Sequence, residues 1–320
     1  MQNSTSSGKG KEFIKMKTIN IANSGICASE ISLGCMRIAN LTNKDASTLI
    51  HTALDEGINF FDHADIYAGG KAEEVFAKAI GTDLALREKI MIQTKCGIRQ
   101  GYFDFSKEHI LASVDKSLKR LNTEYIDVLL LHRPDALMEP EEVAEAFNIL
   151  QNNGKVRHFG VSNQNPMQIE LLSRYLDQKL IINQLQFSIT NTGMIDSGIN
   201  VNMEIDSSIN RDGSILDYCR LKDITIQAWS PFQYGFFQGV FLDNDKFPEL
   251  NKTIDKLAET KGVTNSAIAI AWILRHPAKI QPIVGTTNVI RLKEICRASE
   301  IEITRQEWYE IYKAAGNQLP

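Results

Sequence analysis

Four ionisable side chains of four kinds stand at or just past the ends of three short apolar runs. Asp62 ends one such run in the segment Gly57-Ile-Asn-Phe-Phe-Asp-His-Ala-Asp-Ile-Tyr, and Tyr67 follows at the start of the next loop. Lys95 closes Ile90-Met-Ile-Gln-Thr, and His132 follows Ile126-Asp-Val-Leu-Leu-Leu. Asp, Tyr, Lys and His together are well suited to giving a proton to a carbonyl oxygen while the carbon is attacked. An ammonium buried at position 95 is costly unless paired, and Asp62 is its natural counter-ion. A lysine beside Tyr67 should lower the phenol's pKa, because positive charge favours phenolate. His132 could hydrogen-bond the substrate oxygen. Each residue also has a purely structural alternative: a helix cap for Asp62, a structural ion pair for Lys95, and a buried imidazole bonded to backbone for His132.

These residues need elements that bring strand ends together. Apolar runs of strand length fall at Ile31–Gly34, Asn59–Asp62, Ile90–Thr94, Ile126–Leu131, His158–Val161, Ile181–Gln186, Thr225–Trp229 and Gln281–Val284. Amphipathic segments of helix length separate most of them. Such alternation implies parallel strands with helical crossovers, and eight units predict a (β/α)8 TIM barrel, whose active site lies at the C-terminal strand ends. Lys17–Ile21 and Gly25–Ala28 predict a short N-terminal β-hairpin closing the barrel bottom, and extra helices are expected at the C-terminus. Residues 1–12 read as a flexible polar tail without the hydrophobic region of a signal peptide, and 13–320 as one barrel domain. The stretch Ser188–Asp212, rich in Asn, Ser, Gly and Asp, is too long for a connector. It is expected to be a lid or binding loop.

Composition narrows the function. The 320 residues are 43% apolar and 23% charged, with a formal net charge of −4 and no evident basic face, so neither nucleic acid nor an anionic membrane is the expected partner. No apolar run approaches a membrane span. The five cysteines are scattered without a Cys-x-x-Cys pair, which fits reduced thiols in a cytoplasmic protein. No His or carboxylate cluster has metal-ligand spacing, so no metal is expected.

Reduction needs a hydride donor, and a nicotinamide cofactor is the usual source. No Rossmann fingerprint is present: Gly8-Lys-Gly-Lys-Glu-Phe lacks the third glycine and follows no strand. A dinucleotide must then lie across the barrel mouth. Ser162, Asn163 and Gln184 offer groups for a carboxamide, and Trp229 offers a flat face for the nicotinamide ring. Gly285-Thr286-Thr287-Asn288, before a helix starting near Val289, is expected to present free N–H groups to phosphate. Arg291 is placed to meet an additional phosphate. Capping roles for Ser162, Asn163 and Thr287, and core packing for Trp229, are the structural alternatives.

The whole pattern resembles the aldo-keto reductase family. Asp62, Tyr67, Lys95 and His132 match its catalytic tetrad in order and spacing. Leu118-Lys-Arg-Leu with Tyr125-Ile-Asp-Val-Leu-Leu-Leu-His, and Gly154-Lys-Val-Arg-His-Phe-Gly-Val-Ser-Asn, match its middle section. Ala228-Trp-Ser-Pro and Ile283-Val-Gly-Thr-Thr match the cofactor half, which adds Ser230 and Thr286 to the implied contacts. The resemblance implies reduction of a small aldehyde or ketone by NADPH, with NADH as the alternative donor and Tyr67 as the proton donor. Two departures bear on the cofactor: Gly285 and Ile295 stand where well-studied NADPH-selective members carry lysine and asparagine. A lyase using Lys95 as a Schiff base, and a nicotinamide-binding sensor with little turnover, are the competing readings.

Overall fold

The computed structural model describes residues 16–320, so the expected tail at 1–12 lies outside the described residues. Eight strands close a barrel: β1 (Ser32–Gly34), β2 (Phe60–Asp62), β3 (Met91–Cys96), β4 (Ile126–Leu131), β5 (Val156–Ser162), β6 (Leu180–Gln186), β7 (Thr225–Trp229) and β8 (Gln281–Val284). Each pairs in parallel with its sequence neighbours, and β8 returns to β1. Crossovers through α1 (Asn43–Asp55), α2 (Lys71–Ile80), α3 (Lys107–Leu121), α4 (Pro140–Asn152), α5 (Pro166–Ser173) and α6 (Ile215–Leu221) cover the outside. Local chemistry starts these helices where the sequence suggests. Ser106 accepts the N–H of His109, and Asn165 forms a capping box with Gln168 ahead of Pro166. Between β7 and β8 come α7 (Pro248–Lys261) and α8 (Asn265–Leu274), and after β8 come α9 (Val289–Cys296) and α10 (Arg305–Ala314).

Side chains alternate between two environments, as the strand period of two requires. Outward residues such as Ile92, Leu129, Leu131 and Val161 pack under the helices in one large core. Inward residues Phe60, Val128, Leu130 and Ile182 form a second, inner cluster. The hairpin Thr18–Asn20/Cys27–Ser29 plugs the bottom, with Ile21, Ala22, Ile26 and Ala28 joining that inner cluster. Space inside is short. A Cβ at Gly160 of β5 would stand 2.7 Å from both the Ile182 carbonyl and Leu130 Cδ2, so only glycine fits.

The Ser188–Asp212 expectation is corrected. The segment contains a short helix, Gly193–Ile199, and none of its residues lines the cavity at the barrel mouth. Asp196 accepts a 2.7 Å hydrogen bond from the Tyr312 hydroxyl of α10, so the loop anchors the C-terminal helix. The loop that walls the mouth follows β7 instead and includes the small hairpin Gln233–Tyr234/Gly239–Val240. Length and polarity marked the wrong loop because the sequence does not reveal that α10 packs beside it.

Candidate active site

At the C-terminal end of the barrel a cavity of about 940 Å³ opens. Asp62, Tyr67, His132, Ser162, Asn163, Gln184, Trp229, Ser230, Gly285, Thr286 and Arg291 all line it. Strand phase explains the convergence: Asp62 ends β2, while Gln93 and Lys95 on β3 share its inward face. The strand β3 runs one residue past Lys95, to Cys96, so Lys95 projects from within the strand and is fully buried.

Lys95 spends all three of its protons at this point. Nζ donates to the Asp62 carboxylate at 2.8 Å, to the His63 carbonyl at 2.7 Å and to the Tyr67 hydroxyl at 3.1 Å. Burial works against the ammonium, but Asp62 and Tyr67 outweigh it and hold the lysine pKa above its ordinary value. A buried amine that stays charged is no Schiff-base nucleophile, which removes the lyase reading's main residue.

The expected lowering of the Tyr67 pKa is not what the resting site gives. Burial pushes the phenol up, Lys95 offsets only part of that, and the nearby Asp62 charge adds to the rise. The cation alone would lower the pKa; desolvation and the anion paired with that cation reverse the sign. Tyr67 is therefore a neutral phenol across the physiological range. His132 is likewise neutral: burial and then the Lys95 charge hold its pKa well below the ordinary value. Its Nδ1 is enclosed without a partner among the described residues, which gives no support to the backbone-bonded alternative, and its ring meets that of Tyr67 edge-on at 6.1 Å. His63 faces away from the cavity and packs on Phe76 at 4.5 Å, with burial lowering its pKa to about 3.

Behind Asp62 lies a group that the sequence pattern did not single out. Gln93 and Gln184 each donate one amide N–H to Asp62, at 2.5 and 3.0 Å, and another to Gln227 Oε1, at 2.8 and 3.0 Å. Gln227 donates to Gln281 at 2.8 Å, and Gln281 donates to the Ser29 carbonyl at 2.7 Å. This chain of amides crosses an interior that barrels usually fill with branched apolar residues. Its end at Asp62 presents only N–H donors to the carboxylate. The available signal was a glutamine in the inward phase of each of four otherwise largely apolar strands.

The cofactor half is built on strand ends in unusual backbone. Asn163, directly after β5, and Ser230, beside Trp229, have φ of +58° and +52°. Such left-handed conformations in non-glycine residues cluster at binding sites. Trp229 Nε1 donates to Asn163 Oδ1 at 3.1 Å, Asn163 donates to Ser162 Oγ at 2.7 Å, and Ser162 donates to the Gln184 carbonyl at 3.0 Å. Gln184 commits its amide nitrogen to the interior, which leaves its oxygen for the cavity. The phosphate expectation needs one correction. The N–H groups of Ile290 and Arg291 are taken by the Asn288 side chain at 2.9 and 3.1 Å, as an N-cap takes them. The N–H groups of Thr286 and Thr287 have no partner among the described residues. Gly285 has open space where a Cβ would stand, and Arg37, another residue missed, reaches its carbonyl at 3.4 Å. Ile295 is fully buried in the core, so it faces no ligand. Other missed cavity residues are Arg133, Phe236 and Phe237; the exposed phenylalanine pair was the signal for the last two.

Residues 30–315 match the family model described as "Aldo/keto reductase family". The chain belongs to that family. Its class is accordingly that of NAD(P)H-dependent reductases. It is 38% identical over 294 residues to an uncharacterised oxidoreductase, YcsN, of Bacillus subtilis, spanning 88% of this chain and 92% of that protein. It is 36% identical over 310 residues to a 6-dehydroglucose reductase of Novosphingobium aromaticivorans, spanning 94% and 96%. Among solved structures, a thermostable aldo-keto reductase crystallised with the inhibitor epalrestat superposes with a TM-score of 0.76 at 25% identity, covering 93% of this chain and all (100%) of that one. No helix among the described residues is long and apolar enough to cross a membrane. No group of His, Cys, Asp and Glu among them could hold a metal ion.

Proposed function

We propose that the protein reduces an aldehyde or ketone to the alcohol with NADPH, and that Tyr67 gives the proton. The observation that carries this reading is the Lys95 ammonium bonded at once to Asp62 and to the hydroxyl of Tyr67, at the edge of the cavity. The chain's residues fit a nicotinamide dinucleotide. Trp229, Asn163 and the free Gln184 oxygen suit the nicotinamide end, and Thr286, Thr287, Arg37 and Arg291 suit the phosphates. NADPH, when bound, supplies the hydride.

The protein's own work is then proton and charge management. The neutral His132 imidazole and the Tyr67 hydroxyl hold the carbonyl oxygen. Tyr67 passes its proton to that oxygen as negative charge builds there. The phenolate left behind lies against an ammonium, and Asp62 with its two glutamine donors keeps that ammonium charged. In the resting enzyme burial dominates the tyrosine and keeps its proton on; during reaction the new anion forms where the cation already stands.

The test is a fluorescence titration with NADPH and NADH, followed by a panel of aldehydes monitored through cofactor absorbance. Saturable NADPH binding with turnover of at least one aldehyde is expected. Arg291→Ala should weaken NADPH by roughly tenfold to hundredfold and NADH little, the range of a charge-assisted contact. Tight NADPH binding with no turnover across the panel would instead favour the sensor reading.

A further inference from the structure

We infer that Arg133 makes this site selective for carbonyl substrates that carry an anionic group, such as a carboxylate, away from the reacting carbon. The inference rests on the reductase reading above and adds the substrate class.

Arg133 directly follows His132 and lines the same cavity as Tyr67. It is half-buried, yet among the described residues it makes no ion pair and donates no hydrogen bond. Asp135, two residues further on, and Asp62, on the same cavity, are committed elsewhere. Asp135 accepts the N–H groups of Phe105 and Leu137, both at 2.9 Å, and Asp62 belongs to Lys95. What holds Arg133 is aromatic: its guanidinium carbon lies 5.5 Å from the Trp229 ring centre and 5.7 Å from that of Phe236. Cation–π contact of this kind offsets part of the cost of removing a guanidinium from water and uses none of its N–H donors. A planar fork of donors is thus held in place at the cavity wall with nothing to bind.

Arg87 shows the opposite use of an arginine. It bonds Thr123, the Ile90 and Tyr125 carbonyls and Asp127, so all three of its nitrogens are engaged by the fold. Arg87 also lies over the Tyr125 ring, 3.8 Å from its centre; Arg133 shares that kind of aromatic contact and lacks the rest. Ile66, Ile98 and Phe236 give the same cavity apolar surface. A neutral substrate would leave the guanidinium desolvated and unmatched once bound. A carboxylate would pair with it in the fork geometry that arginine suits. Arg37, by contrast, reaches Gly285 on the cofactor side.

The experiment compares 3- and 4-formylbenzoate with their neutral methyl esters, using the full chain and NADPH. The two isomers place the charge at different reach. Wild type should favour at least one acid over its ester in kcat/KM, by roughly tenfold to hundredfold, chiefly through KM. In Arg133→Met that ratio should collapse towards one, and Arg133→Lys should restore part of it. Equal use of acid and ester by wild type would overturn the inference, as would an unchanged ratio in Arg133→Met. A loss of NADPH affinity in Arg133→Met as large as the rise in KM would also overturn it, by assigning the guanidinium to the cofactor. Turnover of the esters reports on the reductase reading separately, so either idea can fail alone.

Discussion

Two buried ion pairs divide this barrel by role. Lys95–Asp62 and Arg87–Asp127 both close at 2.8 Å, and all four residues are nearly inaccessible. Arg87 ties the connection before β3 to the start of β4, and its remaining donors go to main-chain carbonyls and Thr123. Asp127 in turn accepts the Ile92 N–H at 2.9 Å and Arg157 at 3.2 Å. Neither residue of that pair lines the cavity at the barrel mouth. Lys95 exhausts its three donors, and one of them goes to a phenol on the cavity wall. Burial and pairing alone therefore do not mark a catalytic group. Under the proposed function, the mark is a titratable partner that reaches open space.

The largest expected effect falls on that partner. Tyr67→Phe should slow turnover by about 10²–10⁴-fold, the usual worth of a positioned proton donor, while NADPH binding and thermal stability stay near wild type. Near-normal turnover would reduce Lys95–Asp62 to the status of the other pair. Next comes the structural pair. Asp127→Ala leaves Arg87 buried without its anion and should cost about 3–5 kcal/mol in denaturant unfolding, with turnover per folded molecule preserved. A drop in turnover without a drop in stability would reverse the two roles.

A smaller effect is expected at Gln227, which accepts from both glutamines that hold Asp62. Gln227→Leu strands two buried donors and should cost about 1–3 kcal/mol of stability. If the amides act only as packing, the pH–rate profile of this variant will match that of wild type. The smallest effect is pH itself. With Tyr67 held above its ordinary value and His132 below, the reducing direction needs both groups as they already stand at neutrality. Its kcat should be flat from about pH 7 to pH 9, while alcohol oxidation, which needs the phenolate, should rise over the same range. A reduction rate that falls across this window would mean a lower tyrosine pKa than burial allows.

Much of this could be read from the sequence because it depends on short-range pattern. Thr225–Trp229, Gln281–Val284 and Ile126–Leu131 are strands with the bounds their apolar runs suggest, and the hairpin at the barrel bottom lies where expected. Asp62, Tyr67, Lys95 and His132 meet because strand ends in such a barrel must meet. What escaped depends on three-dimensional partners. The phenol's pKa needed the depth of burial, and the Ser188–Asp212 loop needed the position of Tyr312. The role of Asn288 as a cap needed the path of the turn. The amide chain needed four glutamines from β3, β6, β7 and β8 placed on one interior, although each was visible singly.

Whether Asp62 and Lys95 act on Tyr67 as one unit is tested most directly by a double-variant cycle in single-turnover kinetics. Asp62→Asn, Lys95→Met and the double variant are mixed with saturating NADPH and an aldehyde, and cofactor oxidation is followed by absorbance. The double variant should be about as slow as the slower single variant, since residues that act together are strongly non-additive. Losses that simply multiply would contradict this coupling, leaving Asp62 as a neighbour of the lysine and no part of its function.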